Sequence, residues 1–135
     1  MDGRDLIRAL GLRPHPEGGH YAETLRVPSP GGGRAVVTAI HFLLLAGERS
    51  RWHRVDATEI WLFHAGDPLL LEIAGRAAVT LGADVPAGQS PQATVPAGAW
   101  QQARPLGAWT LVSCVVAPGF EFSGFELAPE GWSPG

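Results

Sequence analysis

Cysteine is almost missing from this chain: Cys114 is the only one in 135 residues. A lone thiol makes no internal disulfide, so the fold must rest on a packed core, and an intracellular setting is expected. Charge is also scarce. Charged residues make up 17% of the chain, against roughly 25% in an ordinary soluble domain. Lys and Arg together number 10 and the net charge is −3, which leaves no basic face for nucleic acid. The only local group is Arg49, Arg51 and Arg54, which reads as a solvated edge. Long apolar runs are absent too; none reaches the roughly 20 residues of a membrane span. The start, Met1-Asp2-Gly3-Arg4-Asp5, lacks a basic stretch followed by an apolar one, so no signal peptide is read and the cytoplasm is the expected compartment.

What the chain has in abundance is punctuation. Gly 18 and Pro 12 fall too often for a helical bundle. The 45% hydrophobic content is too high for disorder. Short strands joined by tight turns fit both facts, as a sandwich or a barrel. At this length one domain, residues 1–135, is expected. The low charge further predicts that part of the outer surface is covered, most simply by a second copy of the chain.

Residues 2–10 read as a short helix, capped by Asp2, with Asp5 near its positive end, an apolar stripe of Leu6, Ile7 and Leu10, and Gly11 as its stop. Residues 1–14 form this helix and a lead-in, 15–127 the β-domain, and 128–135 an irregular tail. Leu12–Gly19 reads as irregular. Strands are expected at 20–27, 35–45, 52–55, 57–65, 69–73, 77–81, 93–95, 100–103, 109–116 and 120–127, with Ala74-Gly75-Arg76 as a hairpin turn. About nine or ten strands with turns every 8–12 residues suit a sandwich or small barrel.

The strand at 57–65 says most. Alternation puts Ala57, Glu59, Trp61, Phe63 and Ala65 on one face, and Thr58, Ile60, Leu62 and His64 on the other. Neither face is polar, so one is expected to line an interior and the other to meet a partner. Glu59 is the anomaly. A carboxylate beside Trp61 and Phe63 must be paired, metal-bound or neutral. A salt bridge to Arg51 or Arg104 is the plain alternative.

Gly47–Gly66 has the spacing G-x5-H-x-V-x3-E-x6-G, with His53, Val55 and Glu59 at its centre. This resembles the first cupin motif, G-x5-H-x-H-x3,4-E-x6-G, with Val55 replacing the second His. A weaker second motif follows: Pro96-Ala97-Gly98 matches P-x-G, while Ser90, Gln101 and Pro105 stand at its Gly, His and Asn positions. Further strings narrow the resemblance: His15-Pro16-Glu17-Gly18-Gly19, Trp52-His53-Arg54-Val55, Glu59-Ile60-Trp61, Ala65-Gly66-Asp67-Pro68-Leu69, Val95-Pro96-Ala97-Gly98 and Val116-Ala117-Pro118-Gly119-Phe120. Together they resemble the DUF985 (Cupin_5) subfamily of RmlC-like cupins, from residue 15 to about 127. That resemblance implies an all-β, single-domain jelly-roll barrel with a short N-terminal helix, usually a homodimer, with a ligand pocket in the barrel mouth. Leu62 and His64 stand where a His and a Tyr are more usual; by alternation both point outward.

A cupin metal centre needs about three imidazoles and a carboxylate. Here Val55 cannot ligate and Gln101 is a weak donor. If a divalent ion is held, its ligands are His53, Glu59 and Gln101; no tightly bound ion and no organic cofactor are expected. Without a metal, His53 and Glu59 form an acid–base pair, the carboxylate orienting the ring and raising its basicity. Such a His can take a proton next to a carbonyl. The expected function is therefore a sugar or carbonyl-compound epimerase or isomerase, with a small-molecule ligand such as a nucleotide sugar. A non-catalytic ligand-binding cupin is the alternative, and a metal-dependent cupin enzyme a weaker one. Glu17, Tyr21, Trp61, Phe63, Trp100 and Gln101 are the expected ligand-binding residues, with a dry core as the plain reading of each aromatic. Gly18 and Gly19 read as a turn that folds the N-terminus back, and Cys114 as an inert core thiol.

Overall fold

The computed structural model describes residues 1–135. Helix α1 (Gly3–Ala9) begins at Asp2, whose side chain accepts from the Asp5 backbone while Asp5 reaches back to the Asp2 N–H. This reciprocal cap stabilises a two-turn helix that could not persist alone. Eleven strands follow: β1 (Arg13–Pro14), β2 (His20–Val27), β3 (Val37–Leu45), β4 (Ser50–Val55), β5 (Thr58–Gly66), β6 (Leu69–Ile73), β7 (Val79–Leu81), β8 (Gln92–Val95), β9 (Gln101–Pro105), β10 (Trp109–Ala117) and β11 (Phe125–Leu127). They form two antiparallel sheets, ordered β1-β2-β3-β10-β5-β8 and β11-β4-β9-β6-β7. This is the jelly-roll arrangement, two sheets closing on one interior. The one helix is far too short and polar to cross a membrane.

Three sequence expectations change. Residues 13 and 14 are not irregular: Arg13 pairs with Tyr21 and Pro14 with His20. Pro is tolerated there because β1 is an edge, where no ladder N–H is needed. Residues 120–127 are not one strand. Phe122–Gly124 makes a single tight turn and only Phe125–Leu127 pairs, with β4. The rings of Phe120, Phe122 and Phe125 pack on one another there, with centroids 4.9–6.0 Å apart, and this aromatic clustering wins over strand extension. Finally, Ala65 leaves the face of Phe63. Val112 pairs with Phe63 but Leu111 with Ala65, so His64 is an extra residue in the ladder. The bulge turns Ala65 outward beside Leu111.

The interior is filled at one end only. Phe42 and Leu44 from β3, Trp61 from β5, Leu69 and Leu71 from β6, and Val112 from β10 make the centre of the core, each at most 1% exposed. At about 1.5–3 kcal/mol per fully buried large apolar side chain, this end carries the stability of the barrel. The inward positions nearer the other end of β3, β5 and β10 remain free to line a cavity.

Candidate functional site

Two inward-facing residues of β3 (Thr38, Ile40), two of β10 (Cys114, Val116) and one of β5 (Glu59) continue the rows that hold the core, but face open space. From the other sheet β4 adds His53 and Val55. Tyr21 on β2 and the rings of Phe120 and Phe122 complete a cavity of about 420 Å³. The loop before β2 brings in His15 and Glu17.

That loop is shaped by its two glycines. The His15 and Gly18 backbones hydrogen-bond across it, His15 N–H to Gly19 O at 3.0 Å and Gly18 N–H to His15 O at 3.0 Å. Gly18 has φ +110° and Gly19 φ +74°, both unfavourable for other residues. A Cβ on Gly18 would stand 2.2 Å from the Arg49 carbonyl oxygen. The expected turn is therefore present, and its tightness presses the preceding residue inward. Glu17 is 7% exposed, and its carbonyl accepts the Arg51 N–H at 2.8 Å, tying the loop to β4.

His53 is 1% exposed. Its Nδ1 lies 2.7 Å from the Arg51 carbonyl oxygen. A carbonyl only accepts, so Nδ1 carries the hydrogen and Nε2 keeps its lone pair. Burial holds the imidazole below its ordinary pKa, against the pull of Glu59 and the Arg51 carbonyl. The carboxylate nearest Nε2 is Glu17, whose Oε1 is 3.6 Å away. His15 sits on the other side of that oxygen, Nδ1 to Oε1 3.4 Å, and burial, with His53 adding to it, lowers it to about 4. Glu17 is itself pushed up to about 8 by burial, against a hydrogen bond donated by the Ser50 hydroxyl. Glu59 is pushed up to about 7 by burial, with His53 opposing.

Glu59 and His53 thus share the cavity, but the expected carboxylate–imidazole pair is not formed: the ring is oriented by a backbone carbonyl and faces Glu17. Glu59 has no Arg partner either. It accepts from Gln101 Nε2 at 2.8 Å, and Gln101 Oε1 in turn accepts from Trp61 Nε1 at 2.9 Å. This buried chain explains how an acid tolerates the apolar face: its charge is disfavoured by burial and its oxygen is hydrogen-bonded.

Of the expected ligand-binding residues, Glu17 and Tyr21 line the cavity. Gln101 and Trp61 lie behind Glu59 and hold it in place. Phe63 packs on the core at the filled end. Trp100 is outside the barrel, under the Arg54 guanidinium at 4.7 Å and against Trp132 at 4.6 Å. Alternation names a residue's face but not its distance along the barrel axis, which is why these four were misplaced. His15, Ser50, Cys114 and the Phe120–Phe122 pair were missed; His15 stands two residues before Glu17 in the quoted string and was the available signal. Cys114 is buried as expected, its thiol raised by burial and by Glu59 and Glu17.

The expected metal set does not fit. Gln101 spends its oxygen on Trp61 and its amide on Glu59, and Val55 offers no donor. No group of three or more His, Cys, Asp or Glu side chains converges as a cation site.

Comparison with known proteins agrees with this architecture. No curated protein matches. A hypothetical protein of Leishmania major is 33% identical, with a TM-score of 0.86 over 95% of this chain and 88% of that one. A Shewanella oneidensis protein solved by crystallography is 37% identical, with a TM-score of 0.89 over 95% of this chain and 85% of that one. The DMSP lyase DddQ of Ruegeria pomeroyi shares the fold at 20% identity and a TM-score of 0.65, over 96% of this chain and 68% of that one. The family described as "Cupin superfamily (DUF985)" matches residues 4–128, and the chain belongs to it.

Proposed function

We propose that the cavity is an acid–base site that moves a proton next to the carbonyl of a small sugar-like or other carbonyl substrate, as an isomerase or epimerase does. The observation that carries this reading is His53: a buried imidazole locked by the Arg51 carbonyl so that an unprotonated Nε2 stands in a site lined by two carboxyl groups. A base held unprotonated and fixed in orientation is what carbon-proton abstraction requires. The C–H electrons would become the C=C bond of an enol. The same nitrogen returns the proton to the neighbouring carbon in an isomerase. An epimerase needs a donor on the opposite face, and Tyr21 is the cavity-lining hydroxyl for that role.

A volume of about 420 Å³ suits one monosaccharide-sized ligand. In a nucleotide sugar the nucleotide would lie outside, at the rim where Arg13 rests on the Tyr21 ring at 5.6 Å. We further propose a homodimer joined through the outer face of the larger sheet, where Ile60, Leu62, Leu111 and Val115 lie on neighbouring strands.

The test is deuterium wash-in from D2O, followed by NMR, across aldoses, ketoses and nucleotide-linked sugars. Exchange at a carbon next to a carbonyl, abolished in His53→Gln, is the expected result. Saturable binding by these compounds with no exchange in the wild type would favour the non-catalytic reading and end this one.

A further inference from the structure

Two imidazoles flank one carboxyl oxygen of Glu17, and neither brings a hydrogen to it. His53 Nδ1 faces a carbonyl and must carry a hydrogen, leaving Nε2 bare. His15 Nδ1 lies 3.1 Å from the Glu17 backbone N–H, which only donates, so that nitrogen carries no hydrogen and its lone pair is taken by the Glu17 N–H. These are the two nitrogens nearest Glu17 Oε1, at 3.6 Å and 3.4 Å. The other oxygen, Oε2, takes the Ser50 hydroxyl. An ionised Oε1 would stand against the His53 lone pair, 3.6 Å away, with little solvent to stabilise it, Glu17 being 7% exposed; an O–H there faces that lone pair instead.

The surrounding charges do not change this. On the facing strands Glu59 is hydrogen-bonded by Gln101 and flanked by the Cys114 thiol. Arg26 is exposed and held by both oxygens of Glu23, Arg13 is exposed over Tyr21, and Glu121 sits on the C-terminal side of the opening. No cation reaches Glu17 within 4.0 Å apart from the two histidines.

We propose that Glu17 is the catalytic acid of the pocket, holding a proton at neutral pH and donating it to the substrate's carbonyl oxygen. This rests on the acid–base reading of His53 given above. As Nε2 takes the carbon-bound proton, the C–H pair becomes the C=C bond, the carbonyl π pair moves to oxygen, and that oxygen takes the Glu17 proton. The product is a neutral enol, with Glu17 ionised and His53 cationic. Return of the His53 proton to carbon and of the enol proton to Glu17 restores the site. The substrate group that enters is then an aldehyde or ketone, whose oxygen accepts the Glu17 proton.

Isotope-edited infrared spectra of protein labelled at the glutamate side-chain carboxyl test this directly. A protonated-carboxyl band at neutral pH is expected in the wild type and in Glu59→Gln, with its Glu17 component missing in Glu17→Gln. Nitrogen NMR should show His53 as the neutral Nδ1–H form. A band unchanged by Glu17→Gln, or a doubly protonated His53 at neutral pH, overturns the assignment. Glu17→Gln keeps the Ser50 contact and offers an N–H toward the His53 lone pair, so it is expected to fold. Deuterium wash-in with dihydroxyacetone and glyceraldehyde is expected to fall about 10²–10⁴-fold in this variant; an unchanged rate overturns the role. A wild type that exchanges neither these nor any compound of the panel, with the infrared band intact, overturns the carbonyl chemistry rather than the protonation of Glu17.

Discussion

Replacing Glu17 by Gln should change how stability depends on pH, and the structure fixes the sign. A folded Glu17 titrates at about 8, against an ordinary value of 4.5. Its folded-state pKa is raised, so its contribution is full below about 4.5, declines as pH rises, and is spent above about 8. The histidines run the other way. His15 falls from 6.5 to about 4, so its contribution grows with pH and levels off about one unit above 6.5; His53 is lowered too and acts in the same direction. Comparing the wild type with Glu17→Gln over pH 6.5 to 8 cancels the histidines and isolates Glu17. There the unfolded Glu17 has lost its proton while the folded one still binds it. Integrating over that interval gives about 2 kcal/mol of lost stability from Glu17. Glu59, raised to about 7, acts in the same direction and adds about 1 kcal/mol. Urea unfolding at pH 6.5 and pH 8, at one ionic strength and one protein concentration, measures this. The wild type should lose about 2 kcal/mol more than Glu17→Gln across this interval. A variant with the wild-type pH slope, or a wild type that gains stability across this interval, would refute the reasoning.

Three other outcomes follow from particular contacts. Trp61→Phe removes the N–H that holds Gln101 Oε1; it should cost about 1–3 kcal/mol for the unsatisfied buried acceptor, read by urea unfolding, and should loosen Glu59. Gly18→Ala places a Cβ against the Arg49 carbonyl at a positive φ. It should destabilise by at least about 1–3 kcal/mol and, by displacing Glu17, lower ligand binding more than a core substitution of equal cost. Leu62→Glu puts a charge on the outer face of the larger sheet; if that face joins two copies, light scattering should report a dimer for the wild type and a monomer for the variant, with the circular dichroism spectrum retained.

Periodicity found most of the strands, though not β1 or the break within 120–127. The β-branched and apolar runs at 35–45 and 109–116 and the turn chemistry between them pointed to a sandwich or a barrel, and the resemblance carried by the Gly47–Gly66 spacing implied that His53 and Glu59 share one interior. Alternation also separated the inner face, Glu59 and Trp61, from the outer one, Ile60 and Leu62. It could not show that the interior is solid at the end holding Trp61 and Phe63 and open at the end holding Glu59 and Val116. That division depends on how far along the axis each strand starts. Nor could it show that Gln101 braces Glu59 from behind, since that contact spans 42 residues.

The sequence by itself determined most of the strand pattern, the capped helix and the candidate base His53, because each is written in local spacing and side-chain chemistry. Only the tertiary structure decided which carboxyl stands beside that base. Glu17 reaches His53 because a glycine turn too tight for any Cβ presses one loop against the β3–β4 connection and buries its acid against the cavity wall. Proximity across 36 positions and the loss of solvent that keeps the acid protonated both arise from packing; neither has a local signature.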